Sequence, residues 1–152
     1  MGYSRSRPPF VRQSNIEHCW AAAIDSLSQV EPRLGGRVHQ SELVQAAWIQ
    51  EHLNSRHGLN MVEGFRTVTT HYGMHYQGLA AGVANPETFE AALRSSYVYT
   101  GYVVTVEVAS HIVVAYGITE NALKIMDPFR GYLEVPMTTV DHSPLRLGFY
   151  FP

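Results

Sequence analysis

The last third of the chain constrains the fold most. From residue 97 onward it is a series of short runs dense in β-branched and aromatic residues: YVYTGYVVTVEV (97–108), HIVVAYGI (111–118), ALKIMD (122–127), YLEVPM (132–137) and RLGFYF (146–151). Such residues suit a pleated, half-buried surface. Short polar or Gly/Pro connections separate them, the pattern of an antiparallel meander. The chain upstream reads differently. HCWAAAIDSLSQV (18–30) places Trp20, Ile24 and Leu27 at the i, i+4, i+7 spacing of a buried helix face. Glu31-Pro32 ends that helix, because the residue before proline avoids helical geometry. RLGGR (33–37) reads as a turn, and residues 39–53, 61–72 and 86–95 read as three further helices. Helices first and a sheet second is the α+β order.

At 152 residues the chain has the length of one domain. Residues 1–12, with three arginines and Pro8-Pro9, read as an extended N-terminal arm, and residues 13–152 as that single domain. The net charge of −2 creates no field suited to nucleic acid or to an anionic membrane. One cysteine forms no internal disulfide and no four-cysteine zinc site. No apolar run approaches the roughly 20 residues that span a bilayer. The polar start MGYSRSRPPF has no apolar h-region, so it is not a Sec signal. It matches the short myristoylation pattern M-G-x-x-x-[ST], for which a domain boundary is the simpler reading.

The single cysteine, Cys19, lies near the start of the first helix, where unpaired N–H groups and the macrodipole favour a thiolate. Ser14-Asn15-Ile16-Glu17 fits a capping box that puts Cys19 in the second turn; a helix beginning at His18 puts it in the first. A nucleophilic thiol needs a base. Of eight histidines, His111 alone opens a strand. If 111–118 and 122–127 form a hairpin over Thr119-Glu120-Asn121, Ile118 faces Ala122, Asp127 faces Val113 and His111 faces Phe129. His111 and Asp127 are then diagonal neighbours on one face, roughly 7–8 Å apart at Cα. That is the placement of a carboxylate that orients an imidazole. A slip of one residue would put them on opposite faces. Gln13, six residues before Cys19, and the Cys19 N–H could both donate to a developing oxyanion. Taken singly, each residue has a plain reading: a packed thiol, a strand-end histidine, an Asp-Pro turn and a surface glutamine. The order Gln, Cys, His, Asp joins them.

QSNIEHCWAAA, SHIVVAYGI and KIMDP together resemble the Gln…Cys-Trp-Ala, His and Asp blocks of papain-like cysteine peptidases. The similarity is to the compact bacterial branch, the C39-like and AvrRpt2-like (C70) peptidases, over about residues 12 to 131. It implies a papain-like fold, an N-terminal helical half packed on a C-terminal antiparallel sheet with the site in the cleft. It implies Cys19 as nucleophile, His111 as general base, Asp127 as its orienter and Gln13 as oxyanion donor. It implies a protein substrate and no cofactor. Asp127 stands where papain itself usually has asparagine. Cys-Trp stands where double-glycine leader peptidases usually have Cys-Gly, which argues against a leader-peptide substrate. Bacterial relatives include translocated effectors and antibacterial toxins. The resemblance therefore implies a cytoplasmic-type domain delivered into a target cell by a specialised secretion system, with an immunity protein over the cleft.

The same triad serves a glutamine deamidase or transglutaminase-like toxin, and a binding module could keep the fold without the chemistry. His71 and His75 have the i, i+4 spacing of metal ligands on a helix, but Gly73 between them breaks the helix. LGG (34–36) reads as a turn rather than a processing site.

Overall fold

The computed structural model describes residues 2–79, 86–102, 111–141 and 145–150. In chain order the elements are β1 (Tyr3–Ser4), α1 (Cys19–Ser28), α2 (Gln40–Leu43), α3 (Glu63–His71), β2 (His75–Leu79) and α4 (Pro86–Ser95). They continue with β3 (Val98–Tyr102), β4 (His111–Ile118), β5 (Ala122–Asp127), β6 (Gly131–Pro136), α5 (Met137–Asp141) and β7 (Leu145–Phe149). Two 3-10 turns, Pro32–Leu34 and Ala47–His52, follow α1 and α2. The described strands form one seven-stranded sheet of order β2-β7-β3-β4-β5-β6, and every pairing is antiparallel. The short β1 pairs with the end of β4 beyond the last partner of β3, at Tyr3↔Ile118 and Ser4↔Gly117. The α+β architecture expected from the sequence is the one observed. Residues 103–108 and 151 of the expected strands, and His142, lie outside the described residues.

The sheet separates two apolar layers, and strand alternation assigns residues to them. Ile112, Val114 and Tyr116 of β4 and Met126 of β5 join Trp20, Ile24 and Leu27 of α1 and Phe65 and Val68 of α3. Val113, Ala115, Leu123 and Ile125 face the other way, onto Phe89 and Leu93 of α4 and Met137 and Val140 of α5. Helix α1 is buried all round, its polar positions included. Ser26 Oγ donates to the Pro9 carbonyl at 2.6 Å, Asp25 Oδ2 accepts the Gln40 N–H at 3.0 Å, and Ser28 Oγ accepts the Val38 N–H at 2.9 Å. The polar side chains on this helix thus bind the N-terminal arm and the following loop, which satisfies groups that would otherwise be costly to bury.

Three expectations are corrected. The helix expected over 39–53 is two pieces, because Ala46 turns extended (φ −65°, ψ 133°) and the Gln50 amide takes the Val44 and Ala46 carbonyls. The bend lets Leu43 and Ile49 both reach the core. A strand, β2, follows His71 where the sequence offered only HYGMH, and α5 follows β6 unannounced. The β4–β5 hairpin has Ile118 opposite Leu123, not Ala122. A bulge between Ala115 and Gly117 then removes the offset, giving Ala115↔Ile125 and Val114↔Met126. Asp127 ends β5 opposite Gly131 of β6, and Phe129 falls in the turn to β6 instead of facing His111.

Candidate active site

Three elements end at one place: Cys19 is the first residue of α1, His111 the first of β4 and Asp127 the last of β5. His18 caps α1 without a side-chain hydrogen bond, so Cys19 sits in the first turn and the alternative of a capping box at Ser14 is not realised. Helix geometry leaves the Cys19 N–H without an intrahelical acceptor. Glu17, the fourth residue of that box, instead accepts from Asn54 Nδ2 at 2.8 Å.

His111 Nε2 lies 2.6 Å from Asp127 Oδ1, and the Cys19 thiol interacts with the same imidazole. With Nε2 committed to the carboxylate, Nδ1 is the ring nitrogen left for sulfur. Exposure falls along this chain. Cys19 and His111 are each 8 % exposed and Asp127 is fully buried. Burial alone would push the His111 pKa down; the hydrogen bonds to Asp127 and Cys19 outweigh it and raise the pKa to about 9. Burial likewise opposes the Asp127 charge, yet His111 and the N–H groups of Phe129 and Arg130 hold its carboxyl below the ordinary value.

Gln13 is buried beside this set, and its backbone N–H donates to the Pro128 carbonyl at 2.9 Å, tying the nucleophile loop to the turn after Asp127. Its side-chain Nε2 donates to the Asn15 and Ile16 carbonyls, both at 2.9 Å, while Oε1 makes no hydrogen bond among the described residues. Both amide hydrogens are therefore occupied within the loop.

The sequence reading passed over His18. Asn15 Oδ1 accepts the Glu17 N–H, so Asn15 presents Nδ2 to His18 Nε2 at 2.9 Å. His18 Nε2 is then the acceptor and Nδ1–H donates to Ser14 Oγ, which makes the ring neutral. Burial, then the nearby His57, lowers its pKa in keeping with that state. Its place next to Cys19 was the only available signal. His57 had none; it adopts a left-handed φ of 63° and accepts the buried Trp20 indole N–H at 2.7 Å. His71 and His75 do not meet as ligands: His71 stacks on Trp48 at 3.7 Å and His75 lies on β2 against Phe149. No group of three or more metal-ligating side chains occurs among the described residues.

Helices over an antiparallel sheet, with thiol, imidazole and carboxylate meeting where the layers end, define the papain-like α+β class. Within that class the chain has the fold of C39 peptidase domains. It superposes on the peptidase domain of Streptococcus ComA with a TM-score of 0.67 and 17% identity, over 95% of this chain and 100% of that one. A C39-like peptidase of Bacillus anthracis gives 0.65 and 11%, over 99% and 98%. A double glycine motif protease from an AMS/PCAT transporter, solved with its leader peptide, gives 0.59 and 20%, over 95% and 91%. At these identities the likeness is one of fold. No family model matches the sequence, and no curated protein does either.

Proposed function

We propose that this protein is a cysteine peptidase that cleaves a peptide bond in another protein. The observation that carries the reading is the convergence of Cys19, in the first turn of a helix, with His111 and its hydrogen-bonded, buried Asp127. The raised His111 pKa favours the imidazolium beside sulfur at neutral pH. The thiolate attacks the substrate carbonyl carbon, and the Cys19 N–H donates to the oxyanion. His111 gives its proton to the leaving amine, then takes one from the water that releases the acyl group. Asp127 holds the ring in the tautomer that points Nδ1 at sulfur. Gln13 contributes a second donor by turning one amide hydrogen from the Asn15 or Ile16 carbonyl to the oxyanion.

The similarity to compact bacterial peptidases supports a more specific setting: an effector or antibacterial toxin domain, delivered by a specialised secretion system and countered by an immunity protein in the cleft. No helix among the described residues is long and apolar enough to cross a membrane. Expression of the wild type beside Cys19→Ala in a sensitive cell, followed by mapping of new protein N-termini, tests the activity. Cuts made only by the wild type are expected. A glutamine-to-glutamate mass change without a cut would instead assign the triad to a deamidase. Identical proteomes would remove the enzyme reading.

A further inference from the structure

A second concave site lies on the α1 face of the sheet, apart from the thiol. It is a cavity of about 450 Å³ between the N-terminal arm and the β4–β5–β6 strands. Arg5, Arg7 and Lys124 line it against a single acid, Glu134, with Tyr116 and Tyr132 as walls. The chain carries a net charge of −2, so this surplus of cations is local. Lys124 is the only lysine in the sequence.

The fold builds this pocket deliberately. Lys124 shares a strand face with Met126, which belongs to the α1-side core, and pairs across β5–β6 with Glu134. The bulge before Gly117 turns the end of β4, and the arm enters there: the Arg5 N–H donates to the Tyr116 carbonyl at 2.7 Å. A Cβ at Gly117 would stand 2.5 Å from Ser4 Oγ and 3.0 Å from Lys124 Cδ, so a side chain there would displace both. Arg5 is held by the Leu93 and Arg94 carbonyls at 2.7 and 3.0 Å, a fixed charge satisfied by backbone. The Arg7 guanidinium lies 4.8 Å from the Tyr132 ring centre, and Tyr132 meets Tyr116 edge to face at 6.3 Å. Stacking of this kind restrains an arginine while leaving its in-plane donors open to a planar carboxylate.

We propose that this pocket is a recognition site for a carboxylate side chain of a polypeptide. The recognition of acid rests on the pocket alone and not on the peptidase reading.

The full chain bearing Cys19→Ala is titrated into a fluorescent decapeptide rich in glutamate, and into its glutamine counterpart, with anisotropy as the readout. The glutamate peptide is expected to bind more tightly. Arg7→Gln with Lys124→Gln should weaken that binding at least about tenfold, as loss of charged hydrogen bonds does. Lys124→Arg should retain it. The control Arg56→Gln with Arg66→Gln removes equal charge elsewhere, Arg66 also lying over a tyrosine, and should change little. Equal weakening by the control, equal binding of the glutamine peptide, or displacement by inorganic phosphate at matched concentration would each overturn the proposal. Absence of any cleavage by wild type would defeat the peptidase reading, while the titration still decides the pocket.

Discussion

Asp127 Oδ1 collects three donors, the His111 ring at 2.6 Å and the N–H groups of Phe129 and Arg130 at 2.8 and 3.3 Å, with the Arg130 side chain 3.7 Å from Oδ2. The carboxylate is therefore ionised and immobile, and much of what keeps His111 protonated derives from it. Asp127→Asn keeps the shape and removes the charge. Its kcat/KM should fall by about 10²–10⁴-fold, the usual worth of positioned acid–base catalysis. The alkaline limb of the pH–rate profile, expected near pH 9 in the wild type, should move to lower pH. A limb that stays in place would show that Asp127 does not set the His111 charge. Thiol reactivity gives an independent reading: Cys19 should take up iodoacetamide at pH 6 faster than a free-cysteine peptide, and His111→Ala should erase the difference. The sequence pointed to Cys19, His111 and Asp127 through their order along the chain and, for the last two, through strand parity. It did not show that the Gln13 amide is spent on its own loop, since the carbonyls that take it are placed by loop closure.

Helix α1 explains how one element supports the site. All ten of its residues are buried, so the arm, the following loop and the sheet fix its axis and thereby the height of Cys19 above His111. Ser26→Ala breaks the 2.6 Å bond to the Pro9 carbonyl and should cost about 1 kcal/mol in urea unfolding. Trp20→Ala removes a fully buried indole and its bond to the His57 carbonyl, and should cost about 3–5 kcal/mol. A loss below 1 kcal/mol for Trp20→Ala would mean that the His57 loop does not buttress the helix. At this scale the hydrophobic periodicity was readable: α1, α3 and α4 lie within or at the bounds expected from it. The residue-46 break was not, because it depends on a glutamine side chain reaching back to two carbonyls. The β4–β5 register came out right at the site through two offsetting features, a longer turn and a bulge.

Across the whole molecule, the coupling of His111 to Asp127 and Cys19 makes stability depend on pH. His111 has a folded pKa of about 9 against 6.5 when unfolded, so its contribution is complete below pH 6.5 and is lost as the pH climbs to 9. Asp127, depressed from 3.8, contributes above that pH and is lost as acid titrates the folded carboxyl. Chemical denaturation between pH 6 and 9.5 should show stability declining toward the alkaline end. His111→Ala should flatten that slope, and an unchanged slope would place the pH dependence elsewhere.

The sequence by itself determined the class of fold and pointed to the groups proposed to react. Alternating strands and a buried helix face depend on neighbours a few residues apart, and the order Gln, Cys, His, Asp is carried by the linear chain. The tertiary structure alone decided the helix start at Cys19, the bulge that keeps Asp127 in register, the arm laid along β4 and the cationic pocket beneath it. Each of these depends on atoms brought together from distant segments, and a one-dimensional pattern carries no record of which carbonyl or ring will be within reach.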